Sequence, residues 1–156
     1  MDTCTASHFY NATGVLQRND PESKASRFAV DRFRPQLTRT LTPGMRVLDL
    51  ACNAGRFVFA AEDLGATATG IDCAAVPLAH ARQVSRRRGI RAQFVQGDYA
   101  ALPHAPGSFD AVLFINNIVE CSYDEAREGG YHWVVYRQCP AAATRPGSHS
   151  CTAALK

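Results

Sequence analysis

The 156 residues are enough for one domain, and 46% hydrophobic with 20% charged residues is the make-up of an ordinary globular chain with a single core. A formal charge of +3 is too small to argue for a nucleic-acid partner, and no run of about eighteen apolar residues exists that could span a membrane. The opening Met1-Asp2-Thr3-Cys4-Thr5 carries an acid early and no apolar segment, so a secretory leader is not expected and a cytoplasmic location follows.

Residues 1–43 read as an N-terminal helical segment. Asn19-Asp20-Pro21-Glu22-Ser23 is a loop or helix start with Pro21 near the first helical position. Behind it Phe28, Val30, Phe33 and Leu37 recur at helical spacing and predict an amphipathic helix ending by Pro43-Gly44. Residues 44–125 have a different texture. Val47-Leu48-Asp49-Leu50 is a short apolar run suited to a strand buried on both faces. After a glycine-containing turn, Phe57, Ala60, Ala61 and Leu64 form one face of a helix that Gly65 stops. Residues 66–72 read as a second strand, and Pro77 opens a helix carrying Leu78, Ala81 and Val84. That helix runs into Arg86-Arg87-Arg88-Gly89, read as cations at a helix end with Gly89 as the terminating residue, ahead of a phosphate or RNA patch.

Ala92 to Gln96 is a third strand, more polar and so placed nearer a sheet edge. Phe109 to Ile115 is a fourth, with an unbroken apolar run expected to be fully buried. Strand and helix alternating in this way predict an α/β fold, a Rossmann-like open and mostly parallel sheet flanked by helices. The six cysteines (Cys4, Cys52, Cys73, Cys121, Cys139, Cys151) include no Cys-x-x-Cys pair and no histidine at ligand spacing. Free thiols are therefore the default, and no metal site is expected.

Ligands of such sheets bind beyond the carboxyl ends of the strands, where the strand order reverses. The first strand leaves through Asp49-Leu50-Ala51-Cys52-Asn53-Ala54-Gly55, a turn that needs small residues and a positive φ at one or more positions. Gly55 supplies that freely, Asn53 tolerates it, and Ala51 keeps bulk low. Asp72 ends the second strand, where a carboxylate accepts hydrogen bonds from the two ribose hydroxyls of a nucleoside. Asp98 ends the third, within Gly97-Asp98-Tyr99, where an acceptor meets an exocyclic adenine amine while a neighbouring ring covers the base. Any one of these acids has an alternative reading as a helix cap or solvated loop residue.

Over residues 45–122 these motifs, in this order, resemble those of the class I S-adenosylmethionine (SAM) dependent methyltransferases, particularly the small-molecule branch. Val47 to Arg56 is similar to that family's first motif, Gly70-Ile71-Asp72 to its acidic second motif, Gly97 to Pro103 to its third, and Ser108 to Val112 to the strand that follows. The chain departs from the pattern in carrying Ala51 and Asn53 where glycines are usual; the first change is mild, the second able to shift the loop. The resemblance implies S-adenosyl-L-methionine as cofactor. Asp49 and Gly55 would border its methionine end together with Ala51 and Asn53. Asp72 would take the ribose with Cys73 beside it, and Asp98 the adenine amine with Tyr99. Asn116, just after the fourth strand, is grouped with the cofactor set, and Asn116, Asn117 and Glu120 lie where an acceptor could be met, with a polar loop and helix cap as the alternative reading. No catalytic residue is expected in motif form, because methyl transfer depends mainly on in-line positioning. Tyr10 and His8 would fold over the cofactor or belong to a flexible arm.

The implied function is methyl transfer to an acceptor, taken as a small molecule. Residues 126–156 break the pattern as an irregular tail. Trp133-Val134-Val135-Tyr136 could form one short strand, and the remainder is too short for the last strands of a seven-stranded methyltransferase fold, as if truncated or frameshifted. The apolar fourth strand would then keep an open edge, favouring self-association. Two alternatives stand beside the enzyme reading: a truncated, non-catalytic SAM-binding remnant, and an NAD-type nucleotide-binding domain.

Overall fold

A computed structural model describes residues 3–12, 16–17, 19–98, 101–105, 107–115 and 133–137 of the chain. Its elements are α1 (Thr3–Tyr10), α2 (Lys24–Thr40), β1 (Arg46–Leu50), α3 (Arg56–Asp63), β2 (Thr67–Asp72), α4 (Ala75–Arg88), β3 (Gln93–Gln96), β4 (Ala111–Ile115) and β5 (Trp133–Arg137). The strands form one sheet in the order β3-β2-β1-β4-β5. β1 pairs in parallel with both β2 and β4, and β2 in parallel with β3, so four strands leave the sheet at the same edge. The order turns outward in opposite directions from β1, which makes the exits of β1 and β4 the switch point of the Rossmann-like fold. The more polar β3 takes the edge position its composition predicts. No helix among the described residues is long and apolar enough to cross a membrane.

The core is built from the periodicities of the sequence. Val47, Leu48 and Asp49 of β1 are all buried, as a central parallel strand covered on both faces requires. Phe57, Val58, Phe59, Ala60 and Ala61 of α3 pack against the sheet, and Leu78, Ala81 and Val84 of α4 do the same further along. Phe33 of α2 meets Phe57 of α3 edge to face, with ring centroids 5.7 Å apart, and Leu37 and Leu41 belong to the same core. The N-terminal helical segment is thus packed into the body of the fold.

Two expectations fail at the level of side-chain direction. Phe28 is 74% exposed, whereas Phe33 and Leu37 are buried. At about 100° per residue, Phe28 points well away from the face that Val30, Phe33 and Leu37 share. In β4 only Ala111, Leu113 and Ile115 are buried, while Val112 and Phe114 on the opposite face are partly exposed, so the strand alternates instead of being buried throughout. The edge of β4 expected to be open is also covered: β5 pairs with it antiparallel, from Ala111 opposite Arg137 to Ile115 opposite Trp133. Among the described residues, the outer border of the sheet on this side is therefore β5. The tail beyond Arg137 lies outside the described residues.

The arginine run behaves as helix-end cations. Gly89 caps α4 in the left-handed conformation (φ 64°), Arg87 pairs with Glu22 at 2.7 Å, and Arg88 pairs with Asp63 at 2.6 Å while covering the Phe59 ring. Gly70, inside β2, has a different task. A Cβ at this position would lie 2.6 Å from Cys52 Sγ and 2.9 Å from Val58 Cγ2, so glycine lets the loop after β1 and the start of α3 sit directly on β2. Gly70→Ala is expected to destabilise the chain by about 1–3 kcal/mol through overpacking, read as a lower urea midpoint at unchanged slope.

Candidate functional site

The loop from β1 to α3 turns left-handed three times. Ala51 and Asn53 both have φ of 51°, and Gly55 has φ of 83°. This alternation folds the backbone tightly against the ends of β1 and β2: Cys52 N–H donates to the Ile71 carbonyl at 3.0 Å, and Gly55 N–H to the Cys52 carbonyl at 2.8 Å. Asn53 fits the conformation because its Oδ1 accepts the Ala54 N–H at 2.9 Å, a local bond of the kind that lets Asn adopt this backbone. Ala51 has no such compensation. Of the two departures, Ala51, the milder by sequence, is the strained one, while Asn53, the best non-glycine for such a backbone, is accommodated. A left-handed Ala costs roughly 1–2 kcal/mol, partly offset by the extra chain entropy a glycine would bring. Ala51→Gly is accordingly expected to stabilise the fold by up to about 1 kcal/mol, measured as a raised thermal midpoint. Gly55 cannot be replaced so easily, since a Cβ there would also meet the Phe94 ring at 2.6 Å.

Asp72 ends β2 and ties this loop down. Its Oδ2 accepts the Asn53 N–H at 2.7 Å and its Oδ1 the Ala74 N–H at 2.8 Å. Its backbone carbonyl accepts the Gly97 N–H at 2.9 Å, which brings the end of β3 alongside. One carboxylate thus joins the turn after β1 to the turn after β2. The residue is only 5% exposed, and burial raises its pKa although the Ala74 and Asn53 amides and hydrogen bonds from Cys73 work in the opposite direction.

Asp49, at the end of β1, is more deeply placed. It is 2% exposed, and among the described residues its Oδ2 has no hydrogen-bond partner. Burial pushes its pKa up to about 8; the nearby Arg56 guanidinium opposes the rise and the Asp72 charge adds to it. Arg56 responds in kind, lowered by its own burial and partly restored by Asp49. Sequence reasoning assigned Arg56 no role, although its place one residue after Gly55, in the first turn of α3, points it back toward the strand that Asp49 ends.

Cys73 is half-buried. Burial first, then the charges of Asp72 and, more weakly, Asp98 raise its thiol pKa, so the ends of β2 and β3 share one electrostatic neighbourhood. Tyr10 of α1 reaches the same place: burial and the charges of Asp72 and Cys73 raise its hydroxyl pKa. His8, the other residue proposed to cover the cofactor, is exposed. Of the sequence-selected residues, the structure brings Asp49, Ala51, Asn53, Gly55, Asp72, Cys73 and Asp98 to one edge of the sheet. Tyr99, Asn116, Asn117 and Glu120 lie outside the described residues.

This arrangement can be set beside known proteins. A family model described as a methyltransferase domain matches residues 47–132, more than half of the chain. A ribosomal protein L11 methyltransferase of Thermus thermophilus is 42% identical over 78 residues, which cover 49% of this chain and 30% of that protein. A ubiquinone biosynthesis O-methyltransferase of Methylocella silvestris is 30% identical over 125 residues, covering 80% of this chain and 44% of that one. The chain therefore spans less than half the length of these curated relatives. Among solved structures, the PH0226 protein of Pyrococcus horikoshii superposes with a TM-score of 0.65 at 30% identity, over 74% of this chain and 53% of its own. The magnesium protoporphyrin IX methyltransferase of Synechocystis PCC 6803, solved with SAM bound, gives 0.63 at 20% identity over 81% and 67%, a likeness of fold. With the sheet order, the left-handed loop and this family match in agreement, the chain belongs to the methyltransferase-domain family of class I SAM-dependent methyltransferases, whose cofactor is S-adenosyl-L-methionine.

Proposed function

We propose that the chain binds S-adenosyl-L-methionine along the carboxyl edge of β1, β2 and β3 and directs its methyl group to a small-molecule acceptor. The observation that carries this is the gathering of Asp49, Asp72 and the Cys73–Asp98 neighbourhood at one sheet edge, around a loop bent by three left-handed residues. The residues suit the group. Asp72 already accepts from the Asn53 and Ala74 amides and from Cys73, so a ribose diol would share the carboxylate with these donors or displace those of Cys73. The buried Asp49 Oδ2 lacks a hydrogen-bond partner among the described residues, and an α-ammonium group would supply a donor while favouring the ionised carboxylate.

When bound, the cofactor supplies an activated methyl on a positively charged sulfur, so the protein needs no nucleophile of its own. Asp72 would fix the ribose and Asp49 the amino-acid end. Asp98, at the end of β3, would accept from the adenine amine, and Tyr99 would lie along the base. Asn116 would follow from the end of β4. A cofactor held at its ribose, its amino-acid end and its adenine would leave the methyl with one direction of approach, the in-line geometry that the transfer requires. A small acceptor is supported by the ubiquinone biosynthesis O-methyltransferase among the relatives, whose match extends over the larger share of this chain.

The test is a calorimetric titration of the full chain with S-adenosylhomocysteine, with NAD as the comparison. One-site binding of the homocysteine compound and none of NAD is expected. Absence of heat up to high micromolar concentration would reject the reading. Label from methyl-labelled cofactor should then pass to dialysable material when acceptor-containing extract is supplied, and label retained on protein would argue against a small acceptor.

A further inference from the structure

We infer that Asn11 is a positioning residue for this edge: from the turn just after α1 it supplies the cap that the start of α4 lacks, and so holds Tyr10 and α1 across the turn bearing Asp72 and Cys73. The inference rests on the cofactor reading above. The first-turn amides of a helix have no partner within it, and a side-chain oxygen just before the helix normally serves. α4 is preceded by Ala74, which has none to offer. The oxygen comes instead from far away in sequence: Val76 N–H donates to Asn11 Oδ1 at 2.9 Å.

The same side chain is engaged at its other end. Asn11 Nδ2 donates to Ser7 Oγ at 3.2 Å, and the Ser7 hydroxyl donates to the Cys73 carbonyl at 3.4 Å. That carbonyl also accepts Gln96 Nε2 at 3.2 Å, so the Cys73 peptide is held from β3 on one side and from α1 on the other. Between the two points that Asn11 and Ser7 grip lies Ala74, whose N–H is bound by Asp72 Oδ1. A clasp built this way sets the position of the turn from which Asp72 projects.

It also sets the position of α1. With eight residues and no acidic side chain in its first turn, α1 is too short to hold its shape alone, so its order depends on such contacts. Tyr10 is the residue next to the clasp, and it is the one on which the charges of Asp72 and Cys73 act. Releasing Asn11 would free the helix and uncover that side of the edge together.

The experiment compares the full chain with Asn11→Ala and Asn11→Asp, measuring S-adenosylhomocysteine affinity by calorimetry and amide exchange by mass spectrometry. Asn11→Ala is expected to weaken binding about five- to tenfold, the equivalent of one lost helix cap. It should also speed exchange in residues 3–12 and 74–77 while the rest of the sheet exchanges as before. Asn11→Asp keeps the acceptor oxygen and is expected to recover most of the affinity and the protection. Unchanged affinity in Asn11→Ala would overturn the positioning role and leave the cofactor reading intact. An Asp variant as weak as the Ala variant would overturn it as well, because the acceptor oxygen would not be what matters. A parent chain that does not bind S-adenosylhomocysteine would overturn the cofactor reading, and the role of Asn11 with it.

Discussion

Asp72→Ala is expected to reduce affinity for S-adenosylhomocysteine by at least about a hundredfold, because two hydrogen bonds to a charged group at about 1.5–3 kcal/mol each disappear with the carboxylate. The same substitution strips two backbone amides of their acceptor, those of Asn53 and Ala74. Leaving them buried and unpaired would cost about 2–4 kcal/mol, softened by the burial penalty that the carboxylate itself no longer suffers. Binding and stability should therefore fall together in this variant, which makes it a blunt tool. Asp72→Asn separates them in part: the amide keeps one acceptor oxygen for a backbone N–H but turns an NH2 toward the other. It should melt between the parent and the Ala variant, yet bind the nucleoside almost as poorly as the latter. Calorimetry read beside thermal melts checks this ordering, and an Asn variant with parental affinity would mean that Asp72 holds the loop and not the ribose.

Asp49→Asn is expected to do the opposite to stability. The folded-state pKa of Asp49 is raised, from 3.8 to about 8, so the folded chain holds a proton that the unfolded chain releases. Its contribution is complete below the unfolded value and is lost as pH rises toward 8, at about 1.4 kcal/mol per unit of pH where the two states differ by one proton. Asp72, raised as well, adds to the same trend. Asp110 works in another window: held down to about 2 by Arg46, it adds stability above about 4 that is lost as pH falls through its folded value. The ligand-free chain should thus become less stable between about pH 4 and pH 8. Replacing the carboxyl by a neutral amide should flatten that decline and raise the midpoint at pH 8 by roughly 5–10 °C. The gain would come with weaker cofactor binding, since the amide cannot answer an ammonium group. For the parent chain, stabilisation by S-adenosylhomocysteine should grow from pH 6 to pH 8 as the buried acid seeks a cation. A pH profile unchanged by Asp49→Asn would contradict this account.

Much of the site was legible because it is local. Asp49, Asp72 and Asp98 each stand near the carboxyl end of a strand legible in the sequence, and parallel strands of a doubly wound sheet leave by one edge. Gly55 and Asn53 announced their backbone geometry through residue type. What failed to show was either a matter of degree or of distance. Nothing in the residue name of Ala51 signals a φ of 51°; the tight turn between two chemically ordinary strands imposes it. Phe28 falls only roughly on the helical spacing of Val30, Phe33 and Leu37, and the angular position around α2 decides which of them is buried. The alternation in β4 depends on what covers each face, and that is a tertiary property. Ser7 and Asn11 act across more than sixty residues of chain, so no pattern near them could have named their partners. Arg56 was in plain view, and the missing step was to ask what would neutralise a buried Asp49.

The claim on which the rest depends is that the ends of three neighbouring strands together form one nucleoside-binding edge. A crystal structure of the chain grown with S-adenosylhomocysteine tests it most directly. The ribose hydroxyls should lie within about 3 Å of the Asp72 carboxylate, with the amino-acid end over Asp49 and the adenine toward Asp98. A nucleoside seated elsewhere on the molecule, away from the Asp72 carboxylate, would contradict the account.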